Sequence, residues 1–162
     1  MSLKLIKHPH PWLRVPSQPV GRFDDVLSEL ARQMHELMQD SCGIGLAAVQ
    51  FGVPIRMIVV GEGVLKDEIW ALVNPVVVKS AGEQTSREGC LSISRSEWNK
   101  PIKRALRVVV EYQDLTGAKQ KIKAHGLLAA VLQHEIDHLD GKLFTDYVKP
   151  ALGPNPPLVN AS

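Results

Sequence analysis

The run Leu127 to Leu139, LLAAVLQHEIDHL, constrains this 162-residue chain more than any other stretch. It holds neither glycine nor proline, so it predicts a helix from about Gly126 to Leu139, stopped by Asp140-Gly141. With His134 at zero and about 100° per residue, His138 falls at about 40° and Glu135 at about 100°. Leu127, Ala130 and Val131 lie within about 60° of His134 on the same reckoning. Leu128, Leu132, Ile136 and Leu139 fill the arc beyond Glu135, leaving a narrow polar arc of Gln133, Asp137 and Asp140 with Ala129. A helix apolar around most of its circumference must be covered on most sides. The rest of the chain therefore has to wrap it. His134, Glu135 and His138 sit inside the apolar face, where burial without partners is unfavourable.

Two histidines four apart on one helical face can offer both imidazoles to a single metal ion, and the glutamate of H-E-x-x-H points to the side. The bland reading is a pair of ordinary hydrogen-bonded histidines. A metal ion with its water would satisfy all three groups together. Only 24 residues follow His138, and the later acids Asp140 and Asp146 do not fall in a known zincin arrangement. The better third ligand lies upstream, in Glu88-Gly89-Cys90-Leu91-Ser92. A Cys90 thiolate completes Cys-His-His and leaves a fourth position for water. Packing as a small hydrophobe is the commoner fate of such a cysteine. Cys42 competes, but it lies at a helix end without a flanking motif and reads as structural.

The wrapping elements are legible in outline. Residues 1–23 carry four prolines and read as an extended arm and loop. Val26, Leu27, Leu30, Met34, Leu37 and Met38 mark an amphipathic helix from Asp24 to about Gln39. Strands are expected over Ile55–Val60, Ile69–Lys79 with Asn74-Pro75 inside it, Leu106–Tyr112 and Lys119–Ala124. Thr116-Gly117 joins the last two as a hairpin. The class is α+β: antiparallel β-sheets packed around a buried central helix carrying H-E-x-x-H. One domain covers residues 1–150, and 151–162 form a short irregular tail.

Gly43 to Gln50, GIGLAAVQ, satisfies the dinucleotide fingerprint G-x-G-x-x-[G/A]. It follows a helix rather than a strand, however, and Phe51-Gly52-Val53-Pro54 interrupts any helix it might open. Its glycines make better sense as places where a peptide backbone comes close.

GIGLAAVQ, EGCLS and QHEIDH, in that order, resemble the three signature motifs of the peptide deformylases. The resemblance spans roughly residues 5 to 150 and includes Asn74-Pro75 and the His125-Gly126-Leu127-Leu128-Ala129 lead into the metal helix. It implies removal of the formyl group from the N-terminal formylmethionine of new polypeptides, with release of formate. It makes Cys90, His134 and His138 the ligands of one divalent metal ion, Fe(II) typically and Zn(II) possible, with Glu135 the general acid/base. The Gln50 amide and the Leu91 N–H become the oxyanion hole. Ile44, Leu127, Ala130 and Val131 match the methionine pocket, and the substrate backbone is expected as an added strand against Ile44-Gly45 and Gly89. After EGCLS the family usually continues with an aliphatic residue and proline, where this chain has Ile93-Ser94. No role carries over to Arg95, Glu97 or Trp98. Common bacterial members end in a C-terminal helix linked to ribosome docking; this tail is short and proline-rich, so that mode of ribosome binding is not expected.

Composition narrows the setting. Nineteen basic against seventeen acidic residues give +2, too even to call for nucleic acid. The basic residues of Lys100-Pro101-Ile102-Lys103-Arg104 and Arg107 read as a solvated face. No run approaches the roughly twenty apolar residues of a membrane span. Two cysteines give no disulfide framework. A cytoplasmic protein is expected, or an organellar one whose transit segment lies outside this sequence. The rival readings are a metallopeptidase using the same motif, a non-catalytic peptide-binding member of the fold, and a structural zinc module.

Overall fold

The structure is a computed structural model and describes residues 2–61 and 70–148. Helix α1 spans Asp25–Asp40 and is capped by Asp24, whose side chain accepts from the Leu27 N–H. Helix α2 spans Leu127–Leu139. Strands β1 (Gly45–Ala47), β2 (Met57–Val60), β3 (Trp70–Ala81), β6 (Arg107–Gln113) and β7 (Lys119–His125) form an antiparallel sheet in the order β1-β2-β3-β6-β7. Strands β4 (Gln84–Arg87) and β5 (Pro101–Arg104) make a separate antiparallel pair. The α+β class with antiparallel sheets is as expected.

The sheet has a helix on each face, which explains why Met57–Val60 shows no polar alternation. Ile58 and Val60 pack with Leu132, Ile136 and Leu139 of α2, whereas Met57 and Val59 pack with Leu27, Met34 and Met38 of α1. Gly45-Leu46-Ala47 divides the same way, Leu46 toward α1 and Ala47 toward α2. A third cluster joins Leu13, Cys90, Ile93, Ile102, Leu143 and Phe144 beneath the loop after β4.

Several expectations shift by a residue or more for physical reasons. The middle of GIGLAAVQ, Gly45–Ala47, is strand β1 and pairs with β2. It then turns into a short 3-10 helix, Ala48–Phe51, closed by Gly52 in the left-handed region (φ 74°). Asn74, at φ 51°, marks the register break of β3 against β6 between Val73 and Val76. The β4–β5 hairpin was not expected at all. Arg104 at its end is buried, not solvated. Residues 62–69, the start of the second expected strand among them, and the tail 151–162 lie outside the described residues.

Candidate metal centre and active site

Helix α2 begins where Gly126 (φ 62°, ψ −126°) turns the chain out of β7, a backbone conformation open to glycine. The helix then carries His134, Glu135 and His138 into the interior, where each is less than a tenth exposed. Cys90 arrives from the loop after β4 and is also buried. One ligand atom from each of Cys90, His134 and His138 lies within 4.8 Å of the others, and Cys90 Sγ sits 3.4 Å from His138 Nε2. Tetrahedral sharing of one ion by sulfur and nitrogen donors sets them about 3.6 Å apart. Cys42, the competing thiol, is exposed at φ 54° on the rim of the neighbouring cleft and packs in no core cluster.

The donor set fits a cation on chemical grounds. The second carboxylate oxygen of Glu135 is buried beside these donors without a hydrogen-bond partner. Burial alone would favour a neutral His134, but Cys90 and Glu88 hold its pKa up at about 10. Burial and the positive His134 push His138 well below its usual value. The thiol and the carboxylates thus favour positive charge at one point, which a metal ion supplies in place of a proton. Burial also raises Glu135 to about 7.

Around this cluster lies a cleft of about 470 Å³. Ile44 and Leu127 line it with large exposed surfaces, 43% and 60%, and Ala130 and Val131 form its deeper wall. Gly45, Gly89, Leu91, Gln50 and Glu135 border it as well. Every site residue expected from the sequence except His138 therefore lines one cavity, and His138 stands directly behind it against Cys90. Gln50 is fixed on both ends of its amide: Oε1 accepts from the Ala47 N–H at 2.9 Å, and Nε2 donates to Ser92 Oγ at 3.0 Å and toward Cys90 Sγ at 3.5 Å. A larger hollow of about 590 Å³ behind α2 touches none of the Cys90, His134, Glu135 and His138 group, so size does not select the site.

The sequence profile of the Polypeptide deformylase family matches residues 2–152. The chain belongs to that family. It is 47% identical over 153 residues to the peptide deformylase of Brucella suis, covering 91% of this chain and 86% of that one. A peptide deformylase crystal structure from Legionella pneumophila superimposes with a TM-score of 0.86 at 41% identity, covering 93% and 88% of the two chains. A Met-Ala-Ser-bound class I type b peptide deformylase from Acinetobacter baumannii matches with a TM-score of 0.84 at 29% identity, over 91% and 100%. Polypeptide deformylases are hydrolases that remove N-formyl groups from nascent peptides.

Within this deformylase chain the structure adds residues that sequence reasoning passed over. His134 Nδ1 lies 2.7 Å from Glu88 Oε1, which fixes the ring and turns Nε2 toward Cys90 and His138. Burial would raise the Glu88 carboxyl, but His134 and Arg104 bind it and hold it at about 2. Arg104 grips Glu88 with two nitrogens and Asp137 with a third, and its guanidinium lies over the Tyr147 ring. The supposedly wet arc of α2 is thus half-covered. A Cβ on Gly45 would stand 2.7 Å from Glu135 Oε1, so the carboxylate itself comes close at that glycine. Gly89 is overlaid by the Trp98 ring, which bonds Ile93 O through Nε1 and carries Arg95 5.1 Å from its centroid. The only available signal for Glu88 was its place two residues before Cys90.

Proposed function

We propose that this chain is a metal-dependent amide hydrolase that removes the formyl group from N-terminal formylmethionine and releases formate. The observation that carries the reading is the buried Cys90-His134-His138 group beside an unpartnered Glu135 carboxylate oxygen, opening onto an apolar cleft. Cys90, His134 and His138 would hold one divalent ion, Fe(II) as the family resemblance implies or Zn(II), which these donors also accept. When bound, the ion supplies Lewis acidity and makes water a nucleophile at neutral pH.

The remaining work falls to the protein. Glu135, at the centre of the buried H-E-x-x-H helix, takes the proton and returns it to the leaving amine. The Gln50 amide and the Leu91 N–H stand ready for the charge that develops on the formyl oxygen. Ile44, Leu127, Ala130 and Val131 receive the methionine side chain, and an unbranched thioether suits such a smooth apolar wall. The substrate backbone adds as a strand along Ile44-Gly45 and Gly89; the Met-Ala-Ser peptide bound to the Acinetobacter baumannii relative supports that ligand class. We assign residues 1–150 to one catalytic domain and the protein to the cytoplasm.

Formate release from formyl-Met-Ala-Ser by metal-loaded protein, with no cleavage of an unformylated internal peptide, is the expected result. Cleavage of the internal peptide would move the assignment to a metallopeptidase.

A further inference from the structure

The N-terminal arm makes three contacts that the chemistry above leaves unused. The Ile6 N–H donates to Gln50 O at 2.7 Å, and the His8 N–H donates to Ser92 O at 2.7 Å. Between them, Lys7 Nζ donates to Leu91 O at 2.5 Å. Three consecutive residues therefore grip both segments that carry the proposed oxyanion donors. We infer that the arm Ile6–His8 is a positioning strap that fixes the Gln50 amide and the Leu91 N–H relative to one another, with Lys7 as its side-chain contact.

The local structure explains why a strap is needed. Leu91 lies in an irregular stretch whose one internal backbone bond is Ile93 N–H to Cys90 O. Gln50 lies in a single 3-10 turn. Neither element carries the regular hydrogen-bond ladder that keeps a donor in place. The two segments meet through side chains, Gln50 Nε2 on Ser92 Oγ and Cys90 Sγ. The arm adds backbone ties at Gln50 and Ser92 and an ammonium at Leu91. Preorganised donors need to be held to about half an ångström. The arm is itself anchored: Leu3 and Leu5 pack against the α1 cluster, and Ile6 packs into the cluster that contains Cys90. It straddles two cores, so a shift of one segment against the other must strain it.

This inference rests on the roles given above to Gln50 and Leu91. The test compares Lys7→Met, which keeps the aliphatic stem, with Lys7→Arg, which restores a donor. In metal-loaded protein on formyl-Met-Ala-Ser, Lys7→Met is expected to lower kcat about five- to ten-fold, the worth of roughly one hydrogen bond, with KM within about two-fold. Lys7→Arg is expected to recover most of that loss. Amide NMR of the resting protein supplies an independent reading: the Leu91 backbone N–H and the Gln50 side-chain NH₂ should both move in Lys7→Met and return in Lys7→Arg. A wild-type kcat in Lys7→Met, or unmoved Leu91 and Gln50 signals, overturns the strap. If wild-type protein releases no formate, the deformylase reading fails, and the NMR comparison still decides the strap.

Discussion

Gly45 and Glu135 illustrate how tightly single residues are matched in the site. With a Cβ due to fall 2.7 Å from the carboxylate, Gly45→Ala must push Glu135 off its position. Since displacements near 1 Å can cost about a hundred-fold in rate, a kcat loss of that order is expected, with the metal still bound. Steady-state kinetics with metal analysis checks it. Glu135→Gln retains the carboxylate's shape without its basicity, so turnover should fall by about 10²- to 10⁴-fold while Cys90, His134 and His138 still hold metal. Full activity in that variant would remove Glu135 from proton transfer. The sequence made Glu135 conspicuous because helical periodicity places it beside two histidines. It gave no sign that Gly45 exists to seat that carboxylate, because the two meet only through the pairing of β1 with β2 and the packing of β1 on α2.

Among the elements, the β4–β5 hairpin escaped sequence reasoning and proves to buttress helix α2. Gln84-Thr85-Ser86-Arg87 has no apolar stripe, and in Pro101-Ile102-Lys103-Arg104 the inward positions are one isoleucine and one arginine. A strand whose buried face carries a charge has no hydrophobic period to read. The partners that make Arg104 tolerable, Glu88 and Asp137, come from other elements. Arg104→Met would leave two acids in the interior without their cation, and removing one partner of a buried pair costs about 3–5 kcal/mol. Denaturant unfolding should show a loss of that size. Because Glu88 also orients His134, metal affinity should drop about 10- to 100-fold in titrations. The helices, by contrast, were legible nearly to the residue: the caps at Asp24 and Gly126 and the stop at Asp140-Gly141 are local signals.

For the whole molecule, the large apolar clusters on the two faces of the sheet close without Cys90, which packs in the third. Chelated protein should therefore keep its far-ultraviolet circular dichroism, and its loss would favour a structural metal module. Acid should act through the carboxylates. Glu88 is held at about 2 against an ordinary 4.5, and Asp146 is held below its ordinary 3.8 by its bonds to Arg14. Folded-state values below unfolded ones mean that these pairs contribute fully above the ordinary values and lose their contribution as pH falls through the folded ones. Thermal melts of chelated protein should fall from about pH 4.5 toward pH 2, and Glu88→Gln should flatten that slope. The cleft between Gly45 and Gly89 sets a condition on timing. A chain that enters as an added strand must leave its main-chain bonding groups unspent, so an N-terminus already coiled into a helix or tucked into its own domain cannot be read. Processing by such a groove competes with the client's own folding, and the modification has to come first.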